Sequence, residues 1–402
     1  MNAHPIGPTR IYGFLFAAII LLYGVLAAAQ GDAMELRSTA DYTYGQLMNF
    51  RLAATNVGQI ESVTLFFRIN ASPDSFSVDV PVESDSQDEF GFALDLTQTR
   101  LPPFSSITYW WQLARVDGSP VRIPEQVVSY VDDQFSWRQL ITTDEQGGGS
   151  VRIHWTGEDE ALGEKARDII FEMLPEIGRL IPIERIIPFD VFIYPSTSDL
   201  GAAMRLTGRD FQPGQTYPDL GVVLVTVLNP DTAENELRTE LSRGLTDLLL
   251  YQALNQFAYN LPPWLNRGLA GAVRGQPDIL LQDELRSAII DGTTIPIDIL
   301  CGGAVVDDNA AIAQSESLLA FILTNYGETA VRELVTSFAA GNDCPTALRN
   351  ATQLTPQQLE AAWLRANSGN QNTRAVAEIA VWLGLVLAGF GLAALLLLRP
   401  RH

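Results

Sequence analysis

Histidine is almost missing from this 402-residue chain, which has only His4, His154 and His402. A metal centre built on paired imidazoles has no material here, and a serine or cysteine triad would have His154 as its one base away from the termini. Cysteine is nearly as scarce. Cys301 and Cys344 are the whole supply, with no C-x-x-C pair, so neither a zinc knuckle nor a disulfide-stapled scaffold is available. Positive charge is short as well: 26 Lys and Arg against 47 Asp and Glu give a formal charge of −21. No continuous basic face can neutralise phosphates, which excludes nucleic acid as a partner. No internal repeat or extended low-complexity tract occurs.

What is present is globular: 47% of residues are hydrophobic and 18% charged, at a length that suits two or three domains. Two long apolar runs stand at the ends. Ile11 to Ala29 is uninterrupted and closes on small residues after a segment carrying one Arg and no acid. Residues 1–29 therefore read as a secretory signal or as an N-terminal anchor that is retained, and both export the chain from residue 30 onward. Ile379 to Leu398 is free of charge and long enough to span the roughly 30 Å hydrocarbon core, and Arg399 and Arg401 come directly after it. The expectation is a linker over 367–374, a transmembrane helix over 375–398 and a cytoplasmic tail over 399–402, with the globular part extracytoplasmic on a plasma membrane. In that oxidising compartment Cys301 and Cys344 either pair, which contributes about 3–4 kcal/mol in the chain-entropy model, or remain buried thiols.

Between the ends the pattern changes once. Over 34–140 short alternating segments such as "SVTLFFRIN" and "ITYWWQLARVDG" are separated by Asn, Gly, Pro and Ser, which predicts an all-β sandwich. Phe104, Trp110 and Trp111 are then core and sheet-face aromatics, the alternative being a sugar-stacking role for one of them. Gly147 to Gly149 make a joint, and an α+β domain is expected over 150–366. It opens with strand "VRIHW" and a helix whose Leu162, Ala166, Ile169, Ile170, Met173 and Leu174 share one face. Strands "FDVFIYP" and "LGVVLVTVL" come next, and the remainder is helical, with Gly327 ending one helix and Thr355 capping another ahead of Pro356.

Four short motifs in this domain are quoted as they stand: "YPSTSDL" (Tyr194 to Leu200), "TYPDLGVVLV" (Thr216 to Val225), "RGLTDLLLYQ" (Arg243 to Gln252) and "PPWLNRGLA" (Pro262 to Ala270). In order and spacing they resemble the peptidase MA-like domain of bacterial exported proteins, a zincin-like fold of gluzincin type, across about residues 150–365. The resemblance implies an active-site helix carrying H-E-x-x-H, a third ligand from P-x-W-L-x-E-G-L-A, and zinc as the cofactor. Two histidines at i and i+4 lie one above the other on a helix and share the ion, while the intervening glutamate polarises its water. Here the ligand positions are Arg243 and Asp247, the base position is Gly244 and the third-ligand position is Arg267. The resemblance therefore carries the fold and not the zinc.

Substitutes for the missing groups are weak. His154 stands in a strand beside Trp155, where a structural role outweighs a catalytic one, and no G-x-S-x-G elbow exists. Glu236 and Glu240 read as a solvent-facing pair, and Asp307 to Asn309 read as a turn rather than a calcium loop. The replacements themselves suggest a charge tie in which Asp247 sits between Arg243 and Arg267. Gly244 costs about 1 kcal/mol in a helix interior, which points to relaxed selection or to a close backbone approach. The expected function is a membrane-anchored, catalytically inactive peptidase-like protein with a binding or assembly role. A peptide or an envelope protein is the partner, and an edge strand through Val222, Val223, Leu224 and Val225 is the place where an extended chain would pair. The alternatives are a metallopeptidase working through another site and a recognition module acting through the sandwich.

Overall fold

The computed structural model describes residues 34–70, 72–82, 88–143, 150–211, 216–228, 232–276, 278–303 and 308–368. Both long apolar runs of the sequence, and with them the expected signal or anchor and the transmembrane helix, lie outside these residues; of the expected linker 367–374, residues 367 and 368 still belong to a helix and the rest lies outside. Among the described residues no helix is long and apolar enough to cross a membrane. The chain divides into two compact units, with the main boundary between Gln134 and Phe135 and the short stretch Leu206–Gly208 counted with the first.

The first unit is an N-terminal β-sheet region. Strands β1 (Glu35–Thr43), β2 (Leu47–Thr55) and β5 (Glu89–Asp95) form one sheet, and β4 (Phe76–Val80), β3 (Ile60–Ile69), β6 (Ser105–Arg115) and β7 (Pro120–Arg122) form the other, with β8 (Gln126–Tyr130) also paired to β6. Alternation decides which side chains meet. In β2, Met48, Phe50, Leu52 and Ala54 are all buried, and Phe50 stacks on Phe67 of β3 and meets Tyr109 of β6 edge-on. Trp111 is fully buried and donates its Nε1–H to Ser38 at 3.0 Å. Trp110 lies on the opposite face, stacked against Phe66 with ring centroids 5.4 Å apart, and the Arg68 and Arg122 guanidiniums sit over its ring at 5.6 and 5.3 Å. The ring that sugar stacking would need is thus occupied by the protein's own side chains, and Phe104 is buried.

The second unit is α+β. Its sheet runs β12 (Val222–Thr226), β11 (Phe189–Tyr194), β10 (Ser150–Trp155), β9 (Arg138–Thr143). The first three are mutually parallel and β9 is antiparallel to β10. The reading of the sequence placed the end of the sandwich at 140, but β9 belongs to this second sheet, and its pairing partner begins only at Ser150. Helices α1 (Glu160–Leu180) and α3 (Ala233–Leu254) pack against one face, where Val151, Ile153, Val191, Ile193, Val223 and Val225 are buried. Asp159 starts α1 by accepting from Ala161 N–H.

Helix α2 (Thr197–Leu206) comes after β11, and α4 (Pro263–Arg274), α5 (Ile279–Asp291), α6 (Ile297–Cys301), α7 (Asn309–Ala339) and α8 (Cys344–Thr352) complete the unit with a last helical stretch over 356–368. Gly327 interrupts α7 with φ 81° and ψ 177°, a conformation that glycine adopts without a Cβ penalty. The sequence placed a helix end at that residue; the chain restarts at once, so two helical segments meet in a kink. Asp308 accepts from Ala310 N–H as the N-cap of α7, while Asp307 lies outside the described residues. Cys301 at the end of α6 and Cys344 at the start of α8 form a disulfide, with Cα atoms 5.9 Å apart.

Candidate functional site

Helix α3 carries the motif "RGLTDLLLYQ". Its buried face is Leu237, Leu241, Leu245, Leu248 and Leu249, at helical spacing. The half-buried residues Glu236, Glu240, Arg243 and Asp247 succeed one another at intervals of four, three and four, and form a polar stripe along the same helix. Gly244 lies beside this stripe and is buried against the edge strand: a Cβ added there would stand 2.6 Å from Val223 Cγ1. Of the two readings of Gly244 open in the sequence, close approach is the one the packing realises. Valine is β-branched and stiff at χ1, so the space is closed by a group that cannot swing away.

Asp247 is held by Thr216, whose Oγ1–H donates to Oδ2 at 2.5 Å. Burial pushes the Asp247 carboxyl above the usual aspartate range; the Thr216 hydrogen bond and the guanidiniums of Arg267 and Arg243 pull the other way without overcoming it. Arg267 from α4 and Arg243 from the preceding turn of α3 reach Asp247 through their charge, while Thr216 supplies a direct hydrogen bond. The hydrogen bond from Thr216 was not foreseen, because Thr216 lies 31 residues upstream in a segment without periodicity. Arg243 Nη2 donates to Glu240 Oε1 at 2.8 Å. The hydroxyl of Tyr259 also feels this site: partial burial and the charge of Asp219 push it upward, and Tyr251 and Asp247 add to the effect.

These side chains do not fit zinc. Guanidinium groups stay protonated and present no lone pair, glycine supplies neither ligand nor base, and Asp247 is a single carboxylate. Among the described residues no group of three or more His, Cys, Asp and Glu converges elsewhere.

His154 belongs to β10, two strands in from β12. Its Nε2 is 2.7 Å from Asp190 Oδ1, and its ring stacks on Phe192 with centroids 4.3 Å apart. Arg152 completes the cluster through two hydrogen bonds to Asp190, at 2.7 and 2.6 Å. Burial pushes the Asp190 carboxyl up, but the hydrogen bonds from His154 and Arg152 together bring it below its ordinary value. A carboxylate committed to a guanidinium and an imidazole on the sheet face holds adjacent strands in place.

A second polar pair escaped the sequence. Arg274, buried at the end of α4, makes a two-pronged pair with Glu316 of α7 at 3.0 and 2.6 Å. Only the helix packing brings them together across 42 residues, and burial raises the Glu316 carboxyl despite its partner.

The cavity beside the stripe is a cleft of about 450 Å³ at the edge of the sheet. Leu224 and Thr226 line it from the strand and Leu228 from just beyond its end, Leu200 and Phe211 add apolar surface, and Glu236 and Glu240 come from α3. In β12, Val223 and Val225 turn into the core, so the strand offers the cleft its alternate side chains. β12 is the outermost strand of its sheet, and among the described residues no strand pairs with its outer side.

Residues 174–367 match the Peptidase MA superfamily. No curated protein matches the chain. Among solved structures, an M1 zinc metallopeptidase from Deinococcus radiodurans is 14% identical over 82% of this chain and 93% of its own, with a TM-score of 0.39. A mutant of an M1 zinc metallopeptidase from the same organism, bound to a Tyr-Ser-Ala substrate, gives 14% over the same shares at a TM-score of 0.36. A cycloalternan-degrading enzyme from Trueperella pyogenes is 12% identical, and the alignment covers 29% of this chain and 13% of that enzyme, with a TM-score of 0.17.

Proposed function

We propose, from the premise that residues 174–367 form a peptidase MA-like domain of gluzincin type, that this domain is catalytically inactive and serves binding or assembly. The observation that carries the reading is the set Arg243, Gly244, Asp247 and Arg267, which replaces both paired ligands, the base and the third ligand at once. One lost ligand leaves a variant site; four lost groups leave none. Gly244 adds a steric reason, because Val223 fills the volume into which any side chain at 244 would begin. The domain is carried outside the membrane on a C-terminal span, a reading supported by the charge-free run Ile379 to Leu398 with Arg399 and Arg401 after it. Its partner is a peptide or an envelope protein, met along β12.

Zinc content and proteolysis test the central claim. The full chain, purified in detergent, is expected to hold well under one zinc per molecule and to show no chelator-sensitive hydrolysis of peptide substrates. One tightly held zinc per chain together with chelator-sensitive cleavage overturns the proposal. Protease treatment of intact cells tests the placement: the globular part should be digested and a C-terminal tag protected, and the reverse pattern sinks the orientation.

A further inference from the structure

We propose that the cleft between β12 and the start of α3 takes an extended peptide segment with basic side chains at alternate positions, recognised by Glu236 and Glu240. The proposal rests on the binding role given to the domain above and names the chemistry of its ligand. The cleft has the volume for side chains rather than for a single ion, and apolar Leu200, Phe211 and Leu224 suit the methylene stems of lysine or arginine. Its charged lining is acidic: Glu236 and Glu240 both line it, and among the described residues no basic side chain does.

That wall already holds a guanidinium of the protein's own. Arg243 donates to Glu240 Oε1 at 2.8 Å from one turn further along α3, and a carboxylate with one oxygen so engaged keeps lone pairs for a second donor. Glu236 is fixed from the loop before the helix, where Oε2 accepts from Leu228 N–H at 2.7 Å and Oε1 accepts from Thr232. Both carboxylates are therefore positioned before a ligand arrives, which lowers the ordering cost of binding.

The spacing agrees with an extended chain. Four residues of helix separate Glu236 from Glu240 by about 6 Å along the axis. Side chains two residues apart on a strand repeat at about 6.6 Å. A segment adding to the free edge of β12 presents every second side chain to the same side, so alternate basic residues meet the two carboxylates in turn.

The experiment uses the full chain in detergent and fluorescent nonapeptides of β-prone composition. One carries arginine at two alternate positions, one has citrulline in their place, and one has the two arginines adjacent. The expected result is binding of the alternate-arginine peptide, at least tenfold weaker binding of the citrulline peptide, and weaker binding of the adjacent one despite its equal charge. The double variant Glu236→Gln and Glu240→Gln keeps side-chain size and one acceptor oxygen at each position, and should abolish the preference for arginine over citrulline in a chain that still unfolds cooperatively. Equal affinity for arginine and citrulline peptides on the unaltered protein overturns recognition by the two carboxylates while leaving a binding role intact. Failure of all three peptides to bind overturns it too, while the zinc measurement tests the loss of catalysis separately.

Discussion

At the scale of single residues, Gly244 and Asp247 show opposite ways in which a motif is emptied. Helix propensity alone favours Gly244→Ala by about 1 kcal/mol. The 2.6 Å approach to Val223 reverses that sign, because overpacking against a stiff branched side chain typically costs about 1–3 kcal/mol. Gly244→Ala is therefore expected to lower Tm by several degrees, and Val223→Ala in the same chain to restore part of the loss. A single substitution that raises Tm would mean that β12 yields freely. Asp247 carries a raised carboxyl, which keeps its proton to higher pH in the folded than in the unfolded chain. Its stabilising share is complete below the ordinary aspartate range, about pH 4, and is lost as pH rises through the folded value. Asp247→Asn retains an acceptor for Thr216 and removes that loss, so it should raise Tm at pH 7 and leave it unchanged at pH 3. A fall at pH 7 would show that the tie to Arg243 and Arg267 outweighs the burial cost.

At the scale of elements, helix-to-helix attachment is concentrated in a few polar pairs. Arg274 and Glu316 join α4 to α7 where both are largely shielded from water. Removing one partner of such a pair leaves a buried charge, so Arg274→Ala should cost about 3 kcal/mol in denaturant unfolding. Replacing both, Arg274→Met with Glu316→Leu, should recover most of it; a double variant no better than the single one would place the cost in packing instead. This is also the scale that marks how far the sequence could be read. The succession of strands and helices in the second unit, the interruption at Gly327 and the core face of α3 are local patterns, and a period of two or 3.6 residues reveals them. The contacts Gly244 with Val223, Asp247 with Thr216, and Arg274 with Glu316 join residues 21 to 42 positions apart. No periodicity encodes them, since each depends on which helix face meets which strand. The boundary expected at 140 cuts through the strand Arg138–Thr143 for the same reason, since only pairing with β10 assigns it to the second unit.

At the scale of the whole molecule, the outer side of β12, with which no strand among the described residues pairs, has a colloidal consequence. An unpaired edge is a template for any extended chain, including the same strand of another copy. The formal charge of −21 keeps copies apart through a repulsion that reaches about 10 Å at 0.1 M salt and about 3 Å at 1 M. The purified chain should therefore scatter as separate particles at low ionic strength and associate reversibly as salt is raised. Light scattering reports this directly, and Leu224→Lys, which puts a charge on the open strand, should shift the onset to higher salt. The acidity of the chain would then act as a solvent-borne guard on an exposed strand edge.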